Sequence, residues 1–312
     1  MPAARKPRTP AAQPAAAAAA PLDATAQLAL LLQRANGLID RLEALLPAPA
    51  APPDWDAAVA FRWLSRGGRK QLVPVRQLSP ITYADLIGID EQRRKVERNT
   101  RQFVQGRPAN NVLITGARGT GKSSLVKASL NQFARQGLRL IEVDKADLID
   151  LPELTELLST RGERFIVFAD DLSFEEGEPG YKALKSVLDG SIAACADNVL
   201  IYATSNRRHL LPEYLEENLS YKHLDNGEIH PGEVVEEKIS LSERFGLWVS
   251  FYPYSQDDYL RITAHWLAAF GVPDRQRDKA LQQALVWALE RGSRSGRVAW
   301  QFARDFAGRG AK

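Results

Sequence analysis

The chain has 312 residues, 45% hydrophobic and 25% charged, the composition of a globular protein with apolar content for one large core or two smaller ones. Its 41 basic residues stand against 38 acidic ones, and the net charge of +3 excludes a histone-like polycation or an acidic tail protein while leaving a nucleic-acid partner open. A single cysteine, Cys195, cannot form an internal disulfide, and no run of about 18 apolar residues exists, so the expectation is a cytoplasmic chain with no membrane span.

Residues 1–21 form an Ala/Pro tail, expected to be disordered, and its Ala run is too weakly apolar for a secretory signal. Leu28, Leu31, Ala35, Leu38, Leu42 and Leu45 then follow a 3-4-3-4-3 spacing, which predicts an amphipathic helix over 22–46. Two and a half heptads fall short of a secure coiled coil, so packing on its own domain is the favoured reading and self-association the alternative. Residues 1–53 are assigned to this tail and helix, the helix ending in a Pro-rich link from Pro47 to Pro53. Residues 54–84 follow as a basic linker. Arg62, Arg66, Arg69, Lys70 and Arg76 lie there with Phe61 and Trp63 and, from 57 on, no acid. A solvated connecting face is the favoured reading, nucleic-acid contact the alternative.

From residue 85 the pattern alternates. Val112–Thr115, Leu138–Val143, Phe165–Ala169, Val199–Ala203 and Leu247–Tyr252 are short apolar runs, and helical patterns fill about 91–105, 122–135, 152–160 and 180–194. Such alternation implies a three-layer α/β domain over 85–253 with a five-stranded parallel sheet. After Pro253 only helical patterns remain, at about 255–270, 276–291 and 297–307, so 254–312 should be a small helical lid.

Gly116-Ala117-Arg118-Gly119-Thr120-Gly121-Lys122-Ser123, followed by Ser124, matches G-x-x-x-x-G-K-[ST] in full, directly after a strand and opening a helix. Glycines let backbone amides converge on a phosphate, and the helix N-terminus adds partial positive charge. Lys122 would meet the β- and γ-phosphates of ATP, and Ser123 would offer its hydroxyl to Mg²⁺. The strand at 165–169 delivers Asp170 and Asp171 at its C-terminal end, where open α/β sheets bind ligands. Asp170 is the metal-side acid, and Asp171 is placed to orient or deprotonate an attacking water. A helix N-cap is the structural alternative. Asn206 ends another buried strand, and its amide can reach a γ-phosphate or hold the water.

The order of these elements resembles that of AAA+ ATPases. Asp85-Leu86-Ile87-Gly88-Ile89-Asp90 resembles the segment that packs near the adenine in that class. Leu241-Ser242-Glu243-Arg244-Phe245-Gly246 resembles an arginine-finger segment, and Ser295-Gly296-Arg297 resembles a sensor 2 arginine. More narrowly, the chain is similar to the bacterial ATP-binding family known as domain of unknown function 815. The resemblance implies that Arg297 acts on its own nucleotide from the lid, with Arg294 as the alternative, and that Arg244 acts at a neighbour's site. That implies a homo-oligomeric ring or filament with ATP. Walker B carries Asp171 where AAA+ motors usually have Glu, so slow hydrolysis is expected.

Residues 213–237 carry eight acids against one Lys, and His223 and His230 among them lack a tight metal-ligand spacing. Residues 261–312 carry ten basic against four acidic residues. The leading expectation is thus a slow ATPase that switches or remodels a DNA or protein client. A small-molecule P-loop kinase and a non-hydrolysing ATP-binding adaptor are the alternatives.

Overall fold

In a computed structural model of the protein, residues 24–45, 53–67, 69–174, 178–190, 196–207, 210, 222–223, 229–230 and 241–309 are described. The Ala/Pro tail, Cys195 and most of the acidic 213–237 stretch lie outside them. The chain divides into two units, Met1–Pro49 and Ala50–Lys312. The first contains helix α1 (Ala24–Leu45), on which Leu28, Leu31 and Leu38 are exposed. No helix among the described residues is long and apolar enough to cross a membrane.

The second unit is built on one sheet. Its strands are β1 (Ala60–Arg66), β2 (Arg69–Pro74), β3 (Val112–Gly116), β4 (Leu138–Val143), β5 (Arg164–Ala169), β6 (Val199–Ser205) and β9 (Leu247–Phe251), in the order β2-β1-β4-β5-β6-β3-β9. A separate antiparallel pair, β7 (Lys222–His223) and β8 (Ile229–His230), lies between β6 and β9 in sequence. All neighbours in the large sheet are parallel except β1 and β2. The five expected strands are present, but the sheet has seven, and the count of five is corrected.

The two additional strands come from the segment read as a basic linker. Counting its charges obscured its period of two. Phe61 and Trp63 point inward, 1% and 3% exposed, while Arg62 between them points out and pairs with Glu142 at 3.0 Å. The turn at Gly67 has φ 57°, a conformation that glycine adopts without strain, and the returning strand places Leu72 opposite Trp63. The Trp63 indole donates to Asp150 Oδ2 at 3.3 Å, and Lys70 pairs with Asp150 at 2.8 Å. Two of the basic charges are therefore held by acids of the same domain.

Helices cover both faces of the sheet because successive strand residues point opposite ways. Val112, Ile114, Ile166, Phe168 and Tyr202 face α2 (Asp90–Val104) and α3 (Lys122–Phe133). Leu113, Phe165, Val167 and Ile201 face α4 (Leu151–Ser159) and α5 (Pro179–Asp189). The Tyr202 hydroxyl is buried on the first side, where Thr100 and Asn99 bond it at 2.8 and 3.2 Å, and burial pushes its pKa up to about 12. A third core belongs to the lid helices α6 (Gln256–Ala269), α7 (Asp274–Glu290) and α8 (Gly296–Arg309). Ala280, Ala284 and Ala288 form a small-residue row on α7 beneath Tyr259, Val298 and Phe302.

If β1 and β2 are integral to the sheet, Phe61→Ala should destabilise by about 3–5 kcal/mol through the cavity it leaves. Urea unfolding measures this. A surface linker would instead change stability by no more than about 0.5 kcal/mol.

Candidate nucleotide site

The phosphate loop begins where β3 ends. Gly116 packs so closely on β9 that an added Cβ would lie 2.0 Å from the Phe251 carbonyl oxygen. Gly119, with φ 74°, would put a Cβ 2.8 Å from Ser295 of the lid. No side chain fits at either position. Inside the loop the Thr120 hydroxyl donates to the Ala117 carbonyl at 2.8 Å. Lys122, the first residue of α3, turns its ammonium back into the loop. It donates to Gly116 O at 2.7 Å, Ala117 O at 2.8 Å and Asn206 Oδ1 at 2.8 Å.

The acids arrive from β5 on the far side of β6. Ser123 Oγ donates to Asp170 Oδ1 at 2.6 Å. Asp171 has φ 53°, the left-handed conformation, which costs of order 1–3 kcal/mol away from glycine and persists where its surroundings fix it. The bend turns its carboxylate toward Asn206, whose Nδ2 donates to Asp171 Oδ1. A continuous chain thus runs from Lys122 through Asn206 to Asp171.

A cleft of about 1050 Å³ opens above these groups. Arg118, Gly119, Gly121, Lys122, Ser123, Ser124, Asp170, Asp171, Thr204 and Asn206 line its polar end. Ile87, Tyr254, Trp266, Phe270, Arg297 and Trp300 are among the residues that enclose the rest. Trp266 and Phe270 stack at 6.0 Å between centroids, and Trp300 meets Phe270 edge-on at 6.2 Å. The lid is tied directly to the loop: Gly296 N donates to Gly119 O at 2.9 Å, and Tyr254 Oη donates to Thr120 O at 2.7 Å. Burial lowers the Lys122 pKa. Asp171 and Asp170 oppose that shift, and Arg297 and Arg118 add to it. Lys122, Arg118 and Arg297 thus share the cleft with Asp170 and Asp171.

Most of the sequence-predicted residues come together here, and two stand apart. Gly88 has φ 78° and packs beneath Tyr254 and Asp258, behind Ile87 and not in the cleft wall. Arg244 is outside the cleft, where it pairs with Asp189 at the end of α5. Its segment is anchored by the buried Leu241, Ser242 and Phe245, and the Trp248 indole that follows donates to Thr115 Oγ1 of β3 at 2.8 Å. Arg294, the alternative to Arg297, is exposed and does not line the cleft. Sequence reasoning missed the aromatic wall, although Trp266 and Phe270 are spaced i, i+4 and Trp300 follows Arg297 by one turn. It also missed Thr204.

A phosphate loop opening a helix, two acids delivered by a neighbouring parallel strand, and a helical lid over both define a P-loop fold with a helical lid. Within that fold class the chain belongs to the family described as Protein of unknown function (DUF815), which it matches over residues 56–310. Solved structures of similar fold include a mutant of RuvB from Thermotoga maritima, at 15% identity and TM-score 0.48 over 73% of this chain and 65% of that one. The Thermotoga maritima RuvB Holliday junction branch migration motor has 16% identity and TM-score 0.39 over 72% of each chain. A chain of the E. coli MS115-1 HORMA:CdnC:Trip13 complex has 13% identity and TM-score 0.46 over 71% of this chain and 89% of that one. This chain spans about 64% of the length of the first of the RuvB structures it matches. No curated protein matches it.

Asp85, in the cleft wall, is bonded by His265 of α6 at 2.9 Å. Burial raises its pKa, but hydrogen bonds from the Thr82 amide, the Thr82 hydroxyl and His265 outweigh this and hold it below the ordinary carboxylate value. The stabilisation is then present above the unfolded value and lost as pH falls through the lower folded one. The stability difference between wild type and Asp85→Ala should shrink in urea unfolding as pH falls through and below the ordinary carboxylate range.

Proposed function

We propose that the protein binds MgATP in this cleft, hydrolyses it slowly, and uses the lid to report nucleotide state to a protein or DNA client. The observation that carries the reading is the convergence of Lys122, the Ser123–Asp170 pair and the Asp171–Asn206 pair at one end of a lid-covered cleft. Among the described residues no group of three or more His, Cys, Asp or Glu could hold a metal alone. One hydroxyl and one carboxylate are hard oxygen donors that suit Mg²⁺, whose remaining ligands come from phosphate and water. Ser123 and Asp170 would hold Mg²⁺, which when bound would supply charge neutralisation for the transferred phosphoryl group.

The chain's own residues have separable parts in this reading. The loop amides and Lys122 hold phosphate, and Lys122 exchanges loop carbonyls for phosphate oxygens. Ile87 and the aromatic wall accept an adenine ring. Asp171 and Asn206 hold the attacking water, with Asp171 accepting its proton. The carboxylate of Asp171 reaches less far than that of Glu and is already bonded to Asn206, which favours slow turnover. Arg297 follows the lid and senses the γ-phosphate. Arg244 does not line its own cleft, which favours action at a neighbouring copy in a ring or filament.

Multiple-turnover phosphate release should be abolished in Asp171→Asn while ATP binding persists. Release unchanged in that variant would remove Asp171 from the chemistry, and the absence of any release by wild type would favour the non-hydrolysing adaptor. Arg244→Ala should lower release by about 10³-fold at concentrations where wild type assembles, with nucleotide affinity retained. Normal turnover at every protein concentration would exclude action in trans.

A further inference from the structure

Thr204 lies on β6 between the acids and Asn206, and it is 1% exposed. Its single hydroxyl is used twice. Oγ1 donates to Asp170 Oδ1 at 2.5 Å and accepts from the Asp171 backbone N–H at 2.9 Å. Ser123 donates to the same Asp170 oxygen, so the carboxylate is pinned from two sides. The staple continues along the backbone. Leu172 N donates to Thr204 O at 2.7 Å, and Ser205 Oγ donates to Leu172 O at 2.7 Å. These five bonds surround Asp171, the only non-glycine residue with positive φ among the described residues.

We infer that Thr204 is a positioning residue for the metal-side and water-side acids together. Its hydroxyl fixes the direction of the Asp170 carboxylate and, through the Asp171 amide, the left-handed bend that turns Asp171 to Asn206. A residue retained only for strand packing would need no hydroxyl, since valine has the same shape. The hydroxyl instead satisfies one donor and one acceptor that would otherwise compete for water at the mouth of the cleft. The bend also does locally what a longer side chain would do. It moves the Asp171 carboxylate toward the amide that β6 presents two residues after Thr204. This inference rests on the nucleotide reading above.

The test compares Thr204→Val, which removes the hydroxyl, with Thr204→Ser, which keeps it. Affinity for a fluorescent ATP analogue is measured with Mg²⁺ and with chelator, alongside single-turnover hydrolysis. Thr204→Val should lose about tenfold or more of the Mg²⁺-dependent gain in affinity while its affinity in chelator is unchanged. Thr204→Ser should recover the gain. If Thr204→Val responds to Mg²⁺ as wild type does, or if Thr204→Ser is equally impaired, the inference is overturned while the nucleotide reading stands. If wild type itself gains nothing from Mg²⁺, the metal-side reading of Asp170 falls, and this inference with it. Should the valine variant fail to fold, Thr204→Ala takes its place in the comparison with serine.

Discussion

The site is organised around one buried ammonium. Lys122 is 7% exposed, and an unpaired charge at that depth is strongly disfavoured. Three oxygens hold it in place, two from the turn before its own helix and one from Asn206. That arrangement needs β3 and β6 side by side with their C-terminal ends level, and the register pairing Thr115 with Ser205 supplies this. β5 pairs on the other side of β6, which sets Asp170 and Asp171 at the same edge. The sheet order is therefore what lets a cation, two carboxylates and an amide meet without any of them being long.

The lid is attached at the point of greatest chemical consequence. Its bonds to the loop are made to the carbonyls of Gly119 and Thr120. A change in the loop is therefore transmitted to α8 through one hydrogen bond and to Tyr254 through another. The aromatic wall moves with the same helices, since Trp266 and Phe270 are on α6 and Trp300 is on α8. The aromatic wall and the Gly296 tie to the loop are thus carried by one group of helices packed on its own core.

The parts of this site set by local sequence were legible from it. A continuous motif places the loop, and apolar runs ending in acids or an amide place Asp170, Asp171 and Asn206. The lid helices follow from their period. The parts set by long-range pairing were not legible. In β1 and β2 four basic residues masked the alternation of Phe61, Arg62 and Trp63, and the acids that receive Arg62 and Lys70 come from 80 residues or more along the chain. The bend at Asp171 depends on a threonine 33 residues away and leaves no local mark. Gly88, which the resemblance sets near the adenine, has a positive φ and lies against Tyr254, next to Ile87 of the cleft wall.

An added Cβ at Gly119 would strike Ser295 of the lid at 2.8 Å, and the φ of 74° favours glycine independently. The two positions therefore make up one steric unit split across 176 residues of chain. A larger residue at either end would force the lid off the loop, and a compensating change at one end can be read only together with the other. A side chain introduced at Gly119 would therefore have to displace Ser295 as well as strain its own backbone.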